Sequence, residues 1–89
     1  MTPTYTIPKD IIITELDDNE AVLLDLKSKR YYSLNETGLL IYKGIQASLT
    51  LEKIIEQLIS IYDLDESEAL DSVNTLISKL LNNKLIEKA

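Results

Sequence analysis

KRYYSLNETGLLIYKG, residues 29–44, is the stretch on which the reading of this chain turns. It holds both glycines, Gly38 and Gly44. Across it the apolar pattern changes from strand-like alternation to helical spacing. Residues before the switch read as strands, and residues after it as helices. Arg30–Leu34 then becomes the last strand of a small sheet, and so an exposed edge. Tyr32 and Leu34 point to one face, Tyr31 and Ser33 to the other. Asn35 is a good N-cap, and Glu36 complements the positive end of the helix dipole. The first helix is expected over Glu36–Lys43, with Leu39, Leu40 and Tyr42 available for packing and Gly44 as its stop. Gly38 inside so short a helix costs about 1 kcal/mol relative to Ala. Close approach of helix and sheet explains it better than a ligand does.

Working upstream, Ala21–Leu26 reads as a strand with Val22, Leu24 and Leu26 on one face and Leu23 and Asp25 on the other. Lys27-Ser28-Lys29 closes its hairpin without a Gly or Asn at the tip. Asp17–Glu20 is a turn by chemistry, because Asp and Asn bond their own backbone. Ile11–Leu16 is β-branched and apolar, a further strand. Residues 1–9, with Pro3 and Pro8, are expected to be a flexible arm ahead of a single domain over 10–89.

Downstream, Thr50 caps a helix over Leu51–Tyr62, whose apolar positions are Leu51, Ile54, Ile55, Leu58, Ile59 and Tyr62. Asp65 caps the third helix, with Glu68 in a capping-box relation. That helix runs to about Leu81, burying Ala69, Val73, Leu76, Ile77 and Leu80. Asn82–Asn83 ends it, and Leu85–Ile86 packs back onto the core. The expected fold is α+β and winged-helix-like: a three-stranded antiparallel meander followed by three helices.

Composition narrows the function. A chain of 89 residues buries roughly 60% of its unfolded surface, enough for one core and too little for a large enclosed pocket. There is no cysteine and no histidine, hence no disulfide frame, no thiol chemistry and no imidazole base. No phosphate loop or nucleophile elbow is present. Asp17, Asp18 and Glu20 lack the spacing of a calcium loop and read as a solvated turn. Asp63, Asp65, Glu66 and Glu68 crowd a helix start, where negative charge is stabilising without a metal. The expectation is a protein without catalysis, cofactor or metal. No apolar run is long enough to span a membrane, and no signal peptide opens the chain, so a cytoplasmic location is expected.

A net charge of −6 argues against nucleic acid and anionic lipid as partners. A winged-helix regulator would read DNA with its third helix. Here that helix carries Asp65, Glu66, Glu68 and Asp71 against Lys79 alone, which phosphates would repel. The one basic cluster, Lys27, Lys29 and Arg30, lies at the second hairpin and guards an edge against aggregation. Peptide capture remains. An extended peptide can add to the open edge of the third strand, bound through its backbone and selected by side chains in the groove beside it.

Arg30–Lys43 also resembles the PqqD family, the RiPP recognition elements, which bind ribosomally synthesised peptides destined for modification. The resemblance rests on Leu23-Leu24-Asp25, Tyr31-Tyr32, Leu34-Asn35, Thr37-Gly38 and Tyr42, and extends over residues 10–87. It departs from the family's common pattern at Lys27-Ser28-Lys29, where a Gly is frequent, and at Tyr42, where Trp is frequent. The resemblance implies binding of a precursor's leader segment, antiparallel to the third strand and packed toward the third helix. The implied contacts are Arg30, Tyr31, Tyr32, Ser33 and Leu34, with Glu68, Ser72, Thr75, Leu76 and Lys79 on the helix. The opposite helix flank, with Ser67, Asn74 and Ser78, remains open on a helical wheel. The implied partners are the leader and a leader peptidase or other modifying enzyme, as in lasso-peptide biosynthesis. A chaperone for a quinone-cofactor precursor and a radical-maturase partner are the alternatives, and a winged-helix regulator is the rival of another class.

Overall fold

Alternation along residues 11–34 and helical spacing after residue 35 produce the two layers of the structure. The computed structural model describes residues 4–17 and 19–88. In chain order the elements are β1 (Tyr5–Thr6), β2 (Ile11–Asp17), β3 (Glu20–Asp25), β4 (Arg30–Leu34), α1 (Glu36–Gln46), α2 (Leu51–Tyr62), α3 (Glu66–Asn82) and β5 (Glu87–Lys88). The expected meander is β2-β3-β4, antiparallel throughout, and its third strand is β4. A second, two-stranded sheet joins β1 to β5.

Register explains which face is covered. Ala21 pairs with Leu34 and Leu23 with Tyr32. Ala21, Leu23 and Leu34 are buried, and Tyr32 packs against the core from its margin. The alternate pair Leu24–Tyr31 lies on the outer face, where Tyr31 is 74% exposed. The helices close the inner face with Leu39, Ile41, Tyr42 and Ile45 from α1, Ile54 and Leu58 from α2, and Ala69, Val73, Ile77 and Leu80 from α3. Leu85 and Ile86 fold back into the same core. Burial pushes the Tyr42 phenol up to about 12.

The three expected caps form. The side chains of Asn35, Thr50 and Asp65 accept from the N–H of Gly38 (2.8 Å), Lys53 (3.3 Å) and Glu68 (2.8 Å). The expected turn over Asp17–Glu20 is held by the Asn19 N–H donating to Asp17 Oδ1 at 2.7 Å. Asp18 lies outside the described residues.

Two expectations are corrected. Gly44 does not stop α1, which continues to Gln46. Gly44 is buried within the helix, and a Cβ there would sit 2.7 Å from Ile54 Cγ1, so it sets how closely α1 approaches α2. The actual stop is a paired-bond closure in which Ser48 N–H donates to Ile45 O and Leu49 N–H to Gly44 O, with Ser48 at φ 59. The second correction concerns the arm. Tyr5 pairs with Lys88 and Thr6 with Glu87, and the Tyr5 side chain is buried in the core. Residues 4–9 are thus part of the fold, while residues 1–3 lie outside the described residues.

Candidate functional site

β4 hydrogen-bonds to β3 along one side, and among the described residues no strand pairs with its other side. In an antiparallel pair every second residue turns its N–H and C=O away from the partner. The free side of β4 therefore carries a row of backbone donors and acceptors in a frame fixed by Leu34 and Tyr32 on the core. Its start is anchored by the second hairpin, where Asp25 accepts from Lys27 N–H and Ser28 Oγ, both at 3.0 Å. Lys27 also ion-pairs with Asp10 at 3.4 Å, and Leu26 N–H donates to Asp10 O, which ties the hairpin to the start of β2.

A groove runs between β4 and α3 in three depressions that share walls. The first, about 310 Å³, lies at the hairpin end between Arg30, Tyr31 and Tyr32 on one side and Asn82, Asn83, Lys84 and Leu85 on the other. The second, about 470 Å³, shares Tyr32 with it and continues over Ser33 and Leu34 to Leu76 and Lys79, with Asn19 and Glu20 at its rim. The third, about 360 Å³, shares Asn35, Gly38, Leu76 and Lys79 with the second and adds Thr37, Asp71, Ser72 and Thr75.

The structure thus brings Arg30, Tyr31, Tyr32, Ser33 and Leu34 together with Ser72, Thr75, Leu76 and Lys79. Glu68, one turn earlier on α3, is exposed and lies outside these depressions. Ser67, Asn74 and Ser78 are exposed on the helix away from the groove walls. The flank of α3 that faces β4 is the one carrying Ser72, Leu76 and Lys79. Leu76 is half-buried, so one side packs on the core and the other lines the groove. Gly38 serves both the packing and the groove. A Cβ there would meet Asn35 Oδ1 and Leu34 Cδ2 at 3.3 Å, and the residue floors two of the depressions.

Sequence reasoning missed the far wall at the hairpin end. It follows from the closure of α3, where Lys84 N–H donates to Leu81 O and Leu85 N–H to Leu80 O. Lys84 takes φ 58 and Leu85 is driven into the core, which leaves Asn82, Asn83 and Lys84 on the groove. The Asn82-Asn83 pair was the available signal, read only as a helix end.

Electrostatics divide the groove. Partial burial raises the Asp25 carboxyl, but bonds from Lys27 N–H and Ser28 outweigh it and hold the group below its ordinary value. At the other end, the Tyr62 phenol is raised by burial and by the charge of Glu36, with Thr37 also bonded to it. That contact fixes the start of α1 behind the groove. Among the described residues no cluster of acidic side chains could hold a metal ion, and no helix is long and apolar enough to cross a membrane. The arrangement offers backbone hydrogen bonds along an edge and shallow side-chain sites beside it.

The model of the family of coenzyme PQQ synthesis protein D, PqqD, matches residues 20–86. Among solved structures, the chain is similar to TbiB1 in complex with the TbiA(beta) leader peptide, with TM-score 0.86, 24% identity, and 92% of this chain and 94% of that chain covered. It is similar to lasso peptide synthetase B1 complexed with the leader peptide, with TM-score 0.84, 24% identity, and 92% and 95% covered. The heterocyclase TruD contains the same fold, with TM-score 0.68 and 15% identity over 98% of this chain and 12% of that one. A search of curated proteins finds no match.

Proposed function

This chain belongs to the PqqD family, and from that premise we propose that it binds the leader segment of a ribosomally synthesised precursor peptide by strand addition to β4. The observation that carries the reading is the open β4 edge beside a groove, in a fold that TbiB1 and lasso peptide synthetase B1 share and in which both are seen with leader peptides. The leader runs antiparallel to β4, and its side chains drop alternately toward Leu34, Leu76 and Lys79 and out to solvent. On the order of four backbone hydrogen bonds, each worth about 1 kcal/mol net, give moderate affinity with little demand on sequence. The depressions supply the selection.

The protein acts by holding, without chemistry of its own. It presents the core segment to a leader peptidase or another modifying enzyme by raising its effective concentration. The finer reading is the small recognition subunit of a split lasso-peptide leader peptidase. The family's own description, a coenzyme PQQ synthesis protein, supports a second reading as chaperone of a quinone-cofactor precursor. DNA binding is disfavoured, because α3 presents Glu66, Glu68 and Asp71 to solvent with Lys79 as its single cation.

Fluorescence polarisation with labelled leader segments of precursors encoded beside this gene tests the reading. Saturable binding to one of them is expected, and it identifies the pathway. Failure to bind any neighbouring precursor sinks the proposal.

A further inference from the structure

The nine basic residues of this acidic chain are unevenly used. Lys27, Lys43 and Lys53 are in ion pairs. Arg30, Lys79 and Lys84 make none among the described residues, and all three line the groove. Two of them, Arg30 and Lys84, face the same depression at the hairpin end. The acidic groove residues Glu20 and Asp71 stand at the opposite end, past Leu34, with Lys79 as the one cation there. The groove is therefore polarised along its length.

One carboxylate, Asp25, belongs to the cationic end. Its oxygens are taken by Lys27 N–H and Ser28 Oγ, so it is committed to the hairpin. A helix C-terminus also points here and would ordinarily repel an anion. In α3 the carbonyls of Leu80 and Leu81 are closed by Leu85 and Lys84 N–H, and that of Lys79 by Asn83 Nδ2 at 2.8 Å. Apart from the hairpin residues and Leu85, the cavity is lined by Arg30, Lys84, Asn82, Asn83, Tyr31 and Tyr32. A guanidinium and amide donors match the paired oxygens of a carboxylate.

We infer that the hairpin end of the groove is a subsite for an acidic side chain of the bound peptide, an Asp or Glu. The inference rests on the strand-addition reading. β4 runs from Arg30 to Leu34, so an antiparallel peptide reaches Arg30 last. The acidic residue stands at the C-terminal end of the segment that pairs with β4.

A displayed library of random peptides selected on the full chain tests this, with amide hydrogen exchange locating each binder. The expected binders protect β4 and carry Asp or Glu toward their C-terminal end. Against the double variant Arg30→Glu/Lys84→Glu, checked for an unchanged circular dichroism spectrum, those peptides bind roughly tenfold more weakly, and reselection enriches Lys or Arg there. Arg30→Gln and Lys84→Gln weaken binding without that inversion. Binders that protect β4 but show no acidic preference overturn the subsite and leave strand addition standing. A selection yielding no peptide that protects β4 overturns both.

Discussion

Asp25 and Arg30 face each other across β3 and β4, yet no ion pair joins them among the described residues. The carboxylate instead accepts from Lys27 N–H and Ser28 Oγ inside the hairpin. The turn thereby holds the charged carboxylate within the hairpin and leaves the guanidinium without an ion pair, on the groove.

The Asp25 arrangement has a pH signature. Its folded carboxyl lies below 3.8, its ordinary value. A depressed acid stabilises the fold above its unfolded value, and the contribution disappears as pH falls through the lower folded one. Asp25→Asn should lower the melting temperature at neutral pH, with the deficit shrinking below pH 3.8. A deficit that stays constant down to strong acid would mean the carboxylate's charge is not its source.

Strand addition predicts sensitivity to backbone changes on both partners. Ser33→Pro removes an N–H from the free side of β4, because the Leu23–Tyr32 pair turns the Tyr32 N–H toward β3, and should weaken leader binding about tenfold or more. Because Ser33 pairs with Val22 beside the buried Leu34, the variant must first be shown to fold. A leader peptide methylated at alternate backbone nitrogens makes the same test on unaltered protein. Binding that withstands both changes places the peptide elsewhere.

Gly44 should resist enlargement. Alanine there gains helix propensity, but its Cβ meets Ile54 Cγ1 at 2.7 Å in a position with no exposed direction to yield. Gly44→Ala should destabilise by about 1–3 kcal/mol in urea unfolding. Ile54→Ala should cost less in the Gly44→Ala background than in the wild type, since it vacates the contested volume. Additive effects would show that the two residues do not compete.

Lys29 holds φ 65 in the second hairpin, a conformation that disfavours side chains. Lys29→Gly should stabilise by about 0.5–1 kcal/mol, the relieved strain exceeding the added freedom of the unfolded chain. An unchanged denaturation midpoint would show that the lysine sits there without strain.

The fold was most legible where one residue type had one job. Arg30–Leu34 and Leu51–Tyr62 are read with the bounds the structure has, because alternation and a capped, periodic stripe each admit a single solution. Gly44 misled because glycine ends helices and also lets them approach, and only the position of Ile54 decides between the two. The pairing of Tyr5–Thr6 with Glu87–Lys88 leaves almost no local pattern, since two-residue strands show no alternation and the partner lies at the far end of the chain. The orientation of α3 was undecidable from its wheel. Which flank meets a peptide depends on where β4 lies, a tertiary fact. Lys84 was missed for a related reason: the helix closure that aims it is backbone geometry, carried by Leu80 and Leu81.

The β1–β5 pair carries one more consequence. It brings Tyr5 beside Lys88, so a chain entering the fold and a chain leaving it pass through the same small area. Such a unit can be spliced into the surface loop of a larger protein through two short joints, with no rearrangement of its own interior. The heterocyclase TruD contains a similar fold over 12% of its chain. The groove lies along β4 and α3, and the shared doorway is formed by β1 and β5. A graft at that doorway therefore leaves the open edge of β4 clear.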